Sequence, residues 1–259
     1  MLKLSIVKIG GNVINNPSEL DGFLKSLSSL KGPKIIVHGG GVLATELANQ
    51  LNIETKFIDG RRTTSEEMLR VAVMVYAGWI NKTIVAKLQS FGINSIGLCG
   101  ADGGIIRCTK RPSTPNDYGF VGDLIEGSIN TESLKSLIDS GFVPVLSAIT
   151  HDGYGQLLNT NADTIARGIA TEMEARTGTK TRLIYVFDKL GVLRDISDDK
   201  SLIKRMSQAE YEELKAKGII FEGMIPKLDN AFSAIESGVS EVILQHSSKI
   251  GTDIGTILY

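Results

Sequence analysis

Two glycine-rich turns, each placed directly after an apolar run, are the segments best suited to hold a charged ligand. The first is Lys8-Ile9-Gly10-Gly11, and the second is His38-Gly39-Gly40-Gly41, which leads into a helical pattern. Glycine lets the backbone approach a ligand closely, and the N–H groups that open a helix favour negative charge. Two such turns at one end of a sheet predict a cradle for phosphates and carboxylates, and hence phosphoryl transfer.

An arginine pair lies in the segment Gly60-Arg61-Arg62-Thr63-Thr64, just before a predicted helix. That helix opens with Thr64-Ser65-Glu66-Glu67, which has the form of a capping box. One guanidinium could clamp a carboxylate bidentately, but a solvated pair at a helix start explains the segment equally well.

Three polar side chains surround a predicted strand-to-helix turn in Asn159-Thr160-Asn161-Ala162-Asp163. Asn161 is suited to cap the following helix. That role does not account for Asn159 and Asp163, and the spacing around the turn can direct all three side chains into one cleft.

Two later segments carry features expected of a nucleotide site. Glu222-Gly223-Met224-Ile225-Pro226-Lys227 places a lysine in the first turn of a helix, where the dipole disfavours a cation unless a polyphosphate is bound. The turn Asp188-Lys189-Leu190-Gly191-Val192-Leu193 follows a buried strand. Because ligands of open α/β sheets bind at the carboxyl ends of strands, this turn predicts a nucleotide platform.

Strand-like and helical segments alternate along most of the chain, which predicts an α/β fold with a mainly parallel sheet covered on both faces. The predicted strands are Leu2–Ile9, Ile35–His38, Ile93–Leu98, Val143–Ile149, Arg182–Phe187, Glu241–Leu244 and Thr256–Leu258. The predicted helices are Ser18–Ser29, Val42–Leu51, Glu66–Phe91, Glu132–Ser140, Ala162–Arg176, Gln208–Lys217 and Lys227–Ser237.

One stretch, Gly103 to Gly127, interrupts the alternation and predicts an inserted antiparallel hairpin with arms at Ile105–Cys108 and Phe120–Leu124. A lid, a dimer edge and a simple surface flap are all open interpretations. A functional boundary is expected near Asp163–Arg182.

Composition excludes several classes of partner. The 259 residues carry a net charge of −1, which gives no electrostatic basis for binding nucleic acid or an anionic membrane. No apolar run approaches the roughly 18 residues that span a bilayer, and the first residues lack a signal-peptide pattern. Cys99 and Cys108 are too far apart for a CxxC pair, and the three histidines lack zinc-ligand spacing. We expect a cytoplasmic protein with reduced thiols and no metal site of its own.

A dinucleotide-binding interpretation competes for the second glycine turn. Gly39 to Ala44 fits G-x-G-x-x-A, and Asp59 follows about 20 residues later. The fingerprint normally lies in the first βα turn rather than the second. It also leaves Lys8 and Lys227 unexplained, so we set it aside.

Six motifs in order together resemble the amino-acid kinase family. They are Lys8-x-Gly10-Gly11, His38-Gly39-Gly40-Gly41, Gly60-x-Arg62-x-Thr64, Asn159-x-Asn161-Ala162-Asp163, Asp188-x-x-Gly191-Val192-Leu193 and Gly223-Met224-Ile225-Pro226-Lys227. The resemblance covers nearly the whole chain. It implies a three-layer αβα sandwich, in which about 1–175 bind an acyl-amino acid and about 176–259 bind ATP. It also implies ATP-dependent phosphorylation of the side-chain carboxylate of an N-acylated glutamate, acetylated or succinylated, in arginine biosynthesis.

The resemblance further implies roles for individual residues. Lys8 and Lys227 match the two cations that neutralise the transferring phosphoryl group, and Asp163 matches the acid that orients them. The matching acyl-glutamate contacts are Gly40, Gly41, Arg62, Asn159 and Asn161. The matching nucleotide contacts are Gly10, Gly11, Asp188, Lys189, Leu190, Gly191, Val192, Leu193, Ile219, Ile220 and Phe221. Mg²⁺ is expected to be held mainly by the ATP phosphates.

Two features depart from the family pattern. Lys189-Leu190 stands where small or apolar residues are more frequent. The chain also starts almost at its first strand, without the helical extension of arginine-inhibited hexameric members. We therefore expect a homodimer without strong arginine feedback. The competing functions are a kinase for a carrier-protein-linked amino acid, a non-catalytic amino-acid sensor and an NAD-dependent oxidoreductase, which the placement of the glycine motif opposes.

Overall fold

The computed structural model describes residues 2–58, 61–220 and 224–259. Its strands are β1 Leu4–Ile9, β2 Lys34–His38, β3 Phe57–Ile58, β4 Arg61–Arg62, β5 Ser95–Leu98, β6 Thr109–Lys110, β7 Gly122–Asp123, β8 Val143–Ser147, β9 Ile149–His151, β10 Leu157–Asn159, β11 Thr181–Phe187, β12 Val192–Leu193, β13 Leu202–Ile203, β14 Arg205–Met206, β15 Val242–His246 and β16 Thr256–Leu258. Its α-helices are α1 Gly11–Asn15, α2 Pro17–Leu27, α3 Gly41–Gln50, α4 Glu66–Ala72, α5 Asn81–Ser90, α6 Thr131–Asp139, α7 Ala162–Thr177, α8 Gln208–Ala216 and α9 Ile225–Glu236.

An eight-stranded sheet in the order β14-β16-β15-β11-β1-β2-β8-β5 forms the middle of the molecule. All neighbouring pairs are parallel except β15 with β16. The central strands read as nearly continuous apolar runs, as expected for strands covered on both faces. The predicted mainly parallel α/β sandwich is confirmed.

Helices cover both faces of this sheet. Helix α7 packs across β1, β2 and β11, with α6 and α9 beside it, while α5 packs against β5, β8 and α2. Asn161 caps α7 by accepting a hydrogen bond from the Thr164 N–H, and Gly178 ends it in a left-handed conformation with φ of 66°. The first turn of α7 is therefore held at the carboxyl ends of the central strands.

The long helix predicted over Glu66–Phe91 is continuous from Glu66 to Ser90, but its middle, Val73–Ile80, is π-helical. The stretch is long and apolar enough by length and composition to cross a membrane, with 44% of its most apolar window buried in the protein. Its buried residues, among them Val75, Tyr76 and Ile84, join the main hydrophobic core. We therefore interpret it as a core helix, since such helices pass the same test.

The structure corrects several predicted boundaries. Helix α1 was not predicted, and the single strand predicted over Val143–Ile149 is divided into β8 and β9 around Ala148. The inserted hairpin is antiparallel as predicted, but its paired arms are β6 and β7. Ile105 and Ile106, predicted as part of an arm, are buried in the core instead.

Candidate active site

An ion pair between Lys8 and Asp163 lies at the carboxyl end of β1. The Lys8 Nζ atom is 2.9 Å from Asp163 Oδ1, and their side chains are only 17% and 27% exposed. Lys8 is positioned by β1, and Asp163 by the first turn of α7. Partial burial restricts solvent screening, so this pair is electrostatically stronger than one on the open surface.

The second predicted cation, Lys227, lies in the first turn of α9, with its Nζ atom 4.8 Å from the centre of the Phe187 ring. This is a cation–π contact at a position where the helix dipole opposes positive charge. Lys8, Asp163 and Lys227 line one cavity of about 270 Å³, together with Gly10, Gly11 and Asp188. We call it the lysine cavity. It brings together two cations that the sequence separates widely.

A neighbouring cavity of about 650 Å³ is lined by all five predicted acyl-glutamate residues, Gly40, Gly41, Arg62, Asn159 and Asn161. We call it the arginine cavity. Asn230 lines both this cavity and the lysine cavity, so the two adjoin. The second glycine turn and Arg62, which the sequence left with alternative interpretations, therefore face the same space.

Hydrogen bonds hold the polar side chains of the arginine cavity in place. The Arg62 Nη2 atom donates to the Gly41 carbonyl at 2.9 Å and to Thr45 Oγ1 at 2.5 Å. Asn159 Nδ2 donates to Thr64 Oγ1 at 3.0 Å. A guanidinium carries five donors, and these contacts orient Arg62 while its remaining N–H groups can bind a carboxylate.

The glycines of the two turns have different surroundings. Gly40 has a φ of 155°, and a Cβ atom there would lie 2.2 Å from Ile80 Cδ1 on the long helix. The Gly10 N–H donates to the Val186 carbonyl at 3.0 Å, so it is engaged by the sheet. At Gly11 a Cβ atom would meet nothing within 4 Å, which leaves this position open to the cavity.

His38, in the second glycine turn, is a structural residue. It is fully buried, and burial lowers its pKa to about 4. Its Nδ1 atom lies 2.9 Å from the Gly39 carbonyl, an acceptor, so we assign the ring proton to Nδ1. Nε2 then accepts from Asn81 Nδ2 at 3.1 Å. A neutral imidazole with both nitrogens occupied holds the turn and is unsuited to proton transfer at neutral pH.

The predicted nucleotide residues are only partly brought together. Lys189, Gly191, Leu193 and Ile219 line a cavity of about 330 Å³, which we call the turn cavity, whereas Asp188 lines the lysine cavity. Val192 is buried, and its N–H donates to Thr256 Oγ1 at 2.8 Å.

Two further positions of this set, Leu190 and Ile220, do not line the turn cavity. Ile220 is buried, and Leu190 lies half-buried in the turn itself. Phe221, Gly60 and Gly223 lie outside the described residues.

Sequence reasoning missed several residues that line these cavities. Arg111 and Asp123, on the inserted hairpin, line the arginine cavity and pair with each other at 2.5 Å between Arg111 Nη2 and Asp123 Oδ1. Tyr76 lines it from the π-helical segment, and Tyr185 lines the lysine cavity from β11. The hairpin was recognisable as an insertion, but no pattern indicated the direction in which its charges point.

No group of three or more His, Cys, Asp or Glu side chains suited to a metal ion occurs among the residues that the structure describes. Of the two acids that line the lysine cavity, Asp163 pairs with Lys8.

Comparison with known proteins gives consistent matches. The sequence pattern described as the amino acid kinase family matches residues 3–246. The chain is 49% identical to the acetylglutamate kinase of Phocaeicola vulgatus over 99% of this chain and 98% of that protein. It is 50% identical to the acetylglutamate kinase of Cytophaga hutchinsonii over 94% and 91%.

A solved structure shares the fold at low sequence identity. The N-acetylglutamate synthase of Neisseria gonorrhoeae, complexed with coenzyme A and N-acetyl-glutamate, superposes with a TM-score of 0.79 at 19% identity. The match covers 99% of this chain and 59% of that one.

Proposed function

This chain belongs to the amino acid kinase family, and from that premise we propose that it transfers a phosphoryl group from ATP to the side-chain carboxylate of N-acetylglutamate in arginine biosynthesis. The observation that carries the proposal is the lysine cavity, in which Lys8, Asp163 and Lys227 face one space beside the arginine cavity. The acetylglutamate kinases named above, which match over nearly the full chain, support the choice of acceptor.

The chemistry requires little beyond alignment and charge neutralisation. The acceptor carboxylate is ionised at neutral pH, so no general base is needed. One of its oxygens attacks the γ-phosphorus, and the bond from that phosphorus to the β–γ bridging oxygen breaks, leaving ADP with the electron pair. Lys8 and Lys227 offset the negative charge shared by the two anions, and Asp163 keeps Lys8 in position.

We assign acceptor binding to the arginine cavity. Arg62 takes the α-carboxylate, because its guanidinium is oriented by Gly41 and Thr45 through Nη2 and keeps the Nε and Nη1 N–H groups as donors. Gly40 and Gly41 let the acceptor lie against the backbone, and Asn159 and Asn161 present amide groups to the acyl end. The side-chain carboxylate then points towards the adjoining lysine cavity.

The nucleotide binds on the other side of the lysine cavity in this proposal. The phosphates approach Gly11 and Lys227, and the remainder of ATP extends over Asp188 towards the turn cavity. Mg²⁺ enters with ATP, since it prefers phosphate oxygens and retains several waters. The division into an acceptor half, about residues 1–175, and an ATP half, about residues 176–259, follows this placement.

We further propose a homodimer in the cytoplasm. Two large apolar side chains of the long helix, Met74 and Trp79, are 51% and 71% exposed. Strand β5, which packs against the same helix, is an edge of the central sheet. An exposed apolar helix face beside an open sheet edge suits a second copy of the chain. Analytical ultracentrifugation of the wild type and of Trp79→Glu tests this, with the variant expected to dissociate.

The function is tested by trapping the acyl phosphate with hydroxylamine. The assay contains ATP, Mg²⁺ and either N-acetylglutamate or N-succinylglutamate, with Lys227→Ala as the control. We expect turnover by the wild type and its loss in the variant. ATP binding without turnover of either acceptor would overturn the proposal and favour a carrier-protein-linked acceptor. Binding of the acyl amino acid without ATP binding would favour a sensor.

A further inference from the structure

Tyr185 lies at the floor of the lysine cavity, and the reaction as described above does not use it. On β11 it pairs in register with Lys8 of β1 on one side and Leu244 of β15 on the other. Residues paired in register on parallel strands project from the same face of the sheet. Consistently, all three line the lysine cavity.

The Tyr185 hydroxyl is a buried polar group without a hydrogen-bond partner among the described residues. The residue is only 7% exposed. Burial first, and then the negative charge of Asp163, raise the pKa of Tyr185, whereas Arg167 opposes them. The phenol therefore stays protonated at neutral pH and can act as a donor. An unpaired buried donor destabilises a protein, so its presence beside the Lys8–Asp163 pair indicates a functional role.

The two lysines are each accompanied by an aromatic residue of β11, and the two residues differ in one atom. Phe187 presents its ring to Lys227, while Tyr185, two residues earlier on the same face, lies beside Lys8. A ring alone suffices at Lys227, since that cation contacts the ring. At Lys8 the cation is held by Asp163 instead, and the Tyr185 hydroxyl is the group that Phe187 lacks.

We propose that Tyr185 is a positioning residue for the Lys8–Asp163 pair: when the Lys8 ammonium turns towards the phosphoryl group, the Tyr185 hydroxyl donates to the Asp163 carboxylate. This rests on the proposed function. The hydroxyl oxygen is covered by protein, and Asp163, which lines the same cavity, is the acid whose charge acts on Tyr185; we therefore take Asp163 rather than the ligand as the acceptor. The bond forms as Lys8 shifts its charge to the phosphoryl group, and it keeps Asp163 directed at Lys8 in the transition state.

Tyr185→Phe removes only the oxygen, and its kinetics test the role. We expect kcat to fall about tenfold, the value of one hydrogen bond to a charged group. The KM values for ATP and acceptor should stay within about twofold, because the bond forms after both have bound. In an Asp163→Ala background the same substitution should change kcat by less than about twofold, since the acceptor is gone.

Stability gives a second readout that does not depend on turnover. Tyr185→Phe should leave the Tm of the ligand-free protein unchanged or higher, because it deletes a buried unpaired hydroxyl. Tyr211→Phe is the matched control. The Tyr211 hydroxyl donates to Asp229 Oδ1 at 2.6 Å, so its removal should lower the Tm.

The possible outcomes separate this inference from the proposed function. An active wild type with an equally active Tyr185→Phe variant would overturn the role of the hydroxyl alone. A higher KM at unchanged kcat, a lowered Tm, or an undiminished effect without Asp163 would do the same. A wild type that forms no acyl phosphate would instead overturn the proposed function.

Discussion

The lysine cavity and the arginine cavity adjoin, but they are built in different ways. The lysine cavity rests on neighbouring strands of the central sheet, where backbone pairing sets Lys8 beside Tyr185. The arginine cavity is assembled from a glycine turn, the short strand β4 and the inserted hairpin. In the proposed function, charge neutralisation by Lys8 thus depends on sheet register, whereas acceptor recognition depends more on connecting segments, which tolerate change more readily.

The first turn of α7 contributes residues to both cavities. Asn161 lines the arginine cavity and caps the helix, while Asp163, two residues later in the same turn, pairs with Lys8 in the lysine cavity. A ligand contact at Asn161 can therefore affect the position of Asp163. Variants in the lysine cavity should mainly change turnover, whereas variants in the arginine cavity should mainly change acceptor affinity.

The largest effect is expected for Lys8→Met. It removes a cation that acts on the developing charge, so kcat should fall 10²–10³-fold, or about 3–4 kcal/mol, with a smaller change in the acceptor KM. Steady-state kinetics measures both. Lys3→Met is the matched control, since Lys3 forms a partly exposed pair with Glu241 at 3.0 Å. Comparable loss in both variants would contradict a specific role for Lys8.

Lowering the pH should destabilise the folded protein through His38, which holds the second glycine turn beside the arginine cavity. Its folded-state pKa of about 4 lies below the ordinary value of 6.5, so the unfolded chain binds the proton first. The stabilisation is complete above pH 6.5 and is lost as the pH falls to about 4, by about 3 kcal/mol.

Urea unfolding of the wild type and His38→Gln across this range measures the difference. The free energy of unfolding of the variant should depend less on pH than that of the wild type. Equal slopes for wild type and His38→Gln would show that His38 is not the titrating group.

Arg62→Lys should act on acceptor affinity rather than on turnover. Lysine cannot reproduce the planar donor set of a guanidinium that Gly41 and Thr45 hold in place, so the acceptor KM should rise 10- to 100-fold, or about 2 kcal/mol, with the ATP KM unchanged. Arg70→Lys serves as the control, because Arg70 forms an exposed pair with Glu66. A loss confined to kcat would place Arg62 in the chemistry instead.

The smallest effect is expected for Arg111→Met, and it concerns the acyl group. Asp123 bonds the Nε and Nη2 atoms of Arg111, which leaves the Nη1 side of the guanidinium for an added carboxylate. We expect kcat/KM for N-succinylglutamate relative to N-acetylglutamate to fall about fivefold, the scale of a partly exposed ion pair. Arg107→Met, outside the arginine cavity, should leave the ratio unchanged. An unaltered ratio in Arg111→Met would remove Arg111 from acyl recognition.

Much of the fold could be predicted because periodicity is a local property. The segments that form β1, β2, β11 and β16 are apolar over the length of a strand. The helix that begins at Glu66 is capped by Ser65, whose hydroxyl accepts a hydrogen bond from the Met68 N–H. The π-helical segment was missed because its apolar residues also fit an ordinary helix. The division at Ala148 was missed for the same reason, since both pieces are apolar.

The site residues were predicted unevenly. Lys8, Asp163 and Lys227 belong to ordered motifs, and the structure places them on one cavity. The nucleotide turn was predicted as one unit, whereas Asp188 and Lys189 line different cavities, because a tight turn directs successive side chains apart. Their roles in binding stay predictions.

The alternation of strands and helices, the two glycine turns and the identity of the cations could be predicted, since they depend on residue type and short spacing. Which distant residues meet depends instead on how the chain packs. Lys8 and Tyr185 become neighbours because β1 pairs with β11, and Arg111 reaches the arginine cavity because the hairpin folds over it. Strand order and loop direction come from packing of the whole chain, so no local pattern records them.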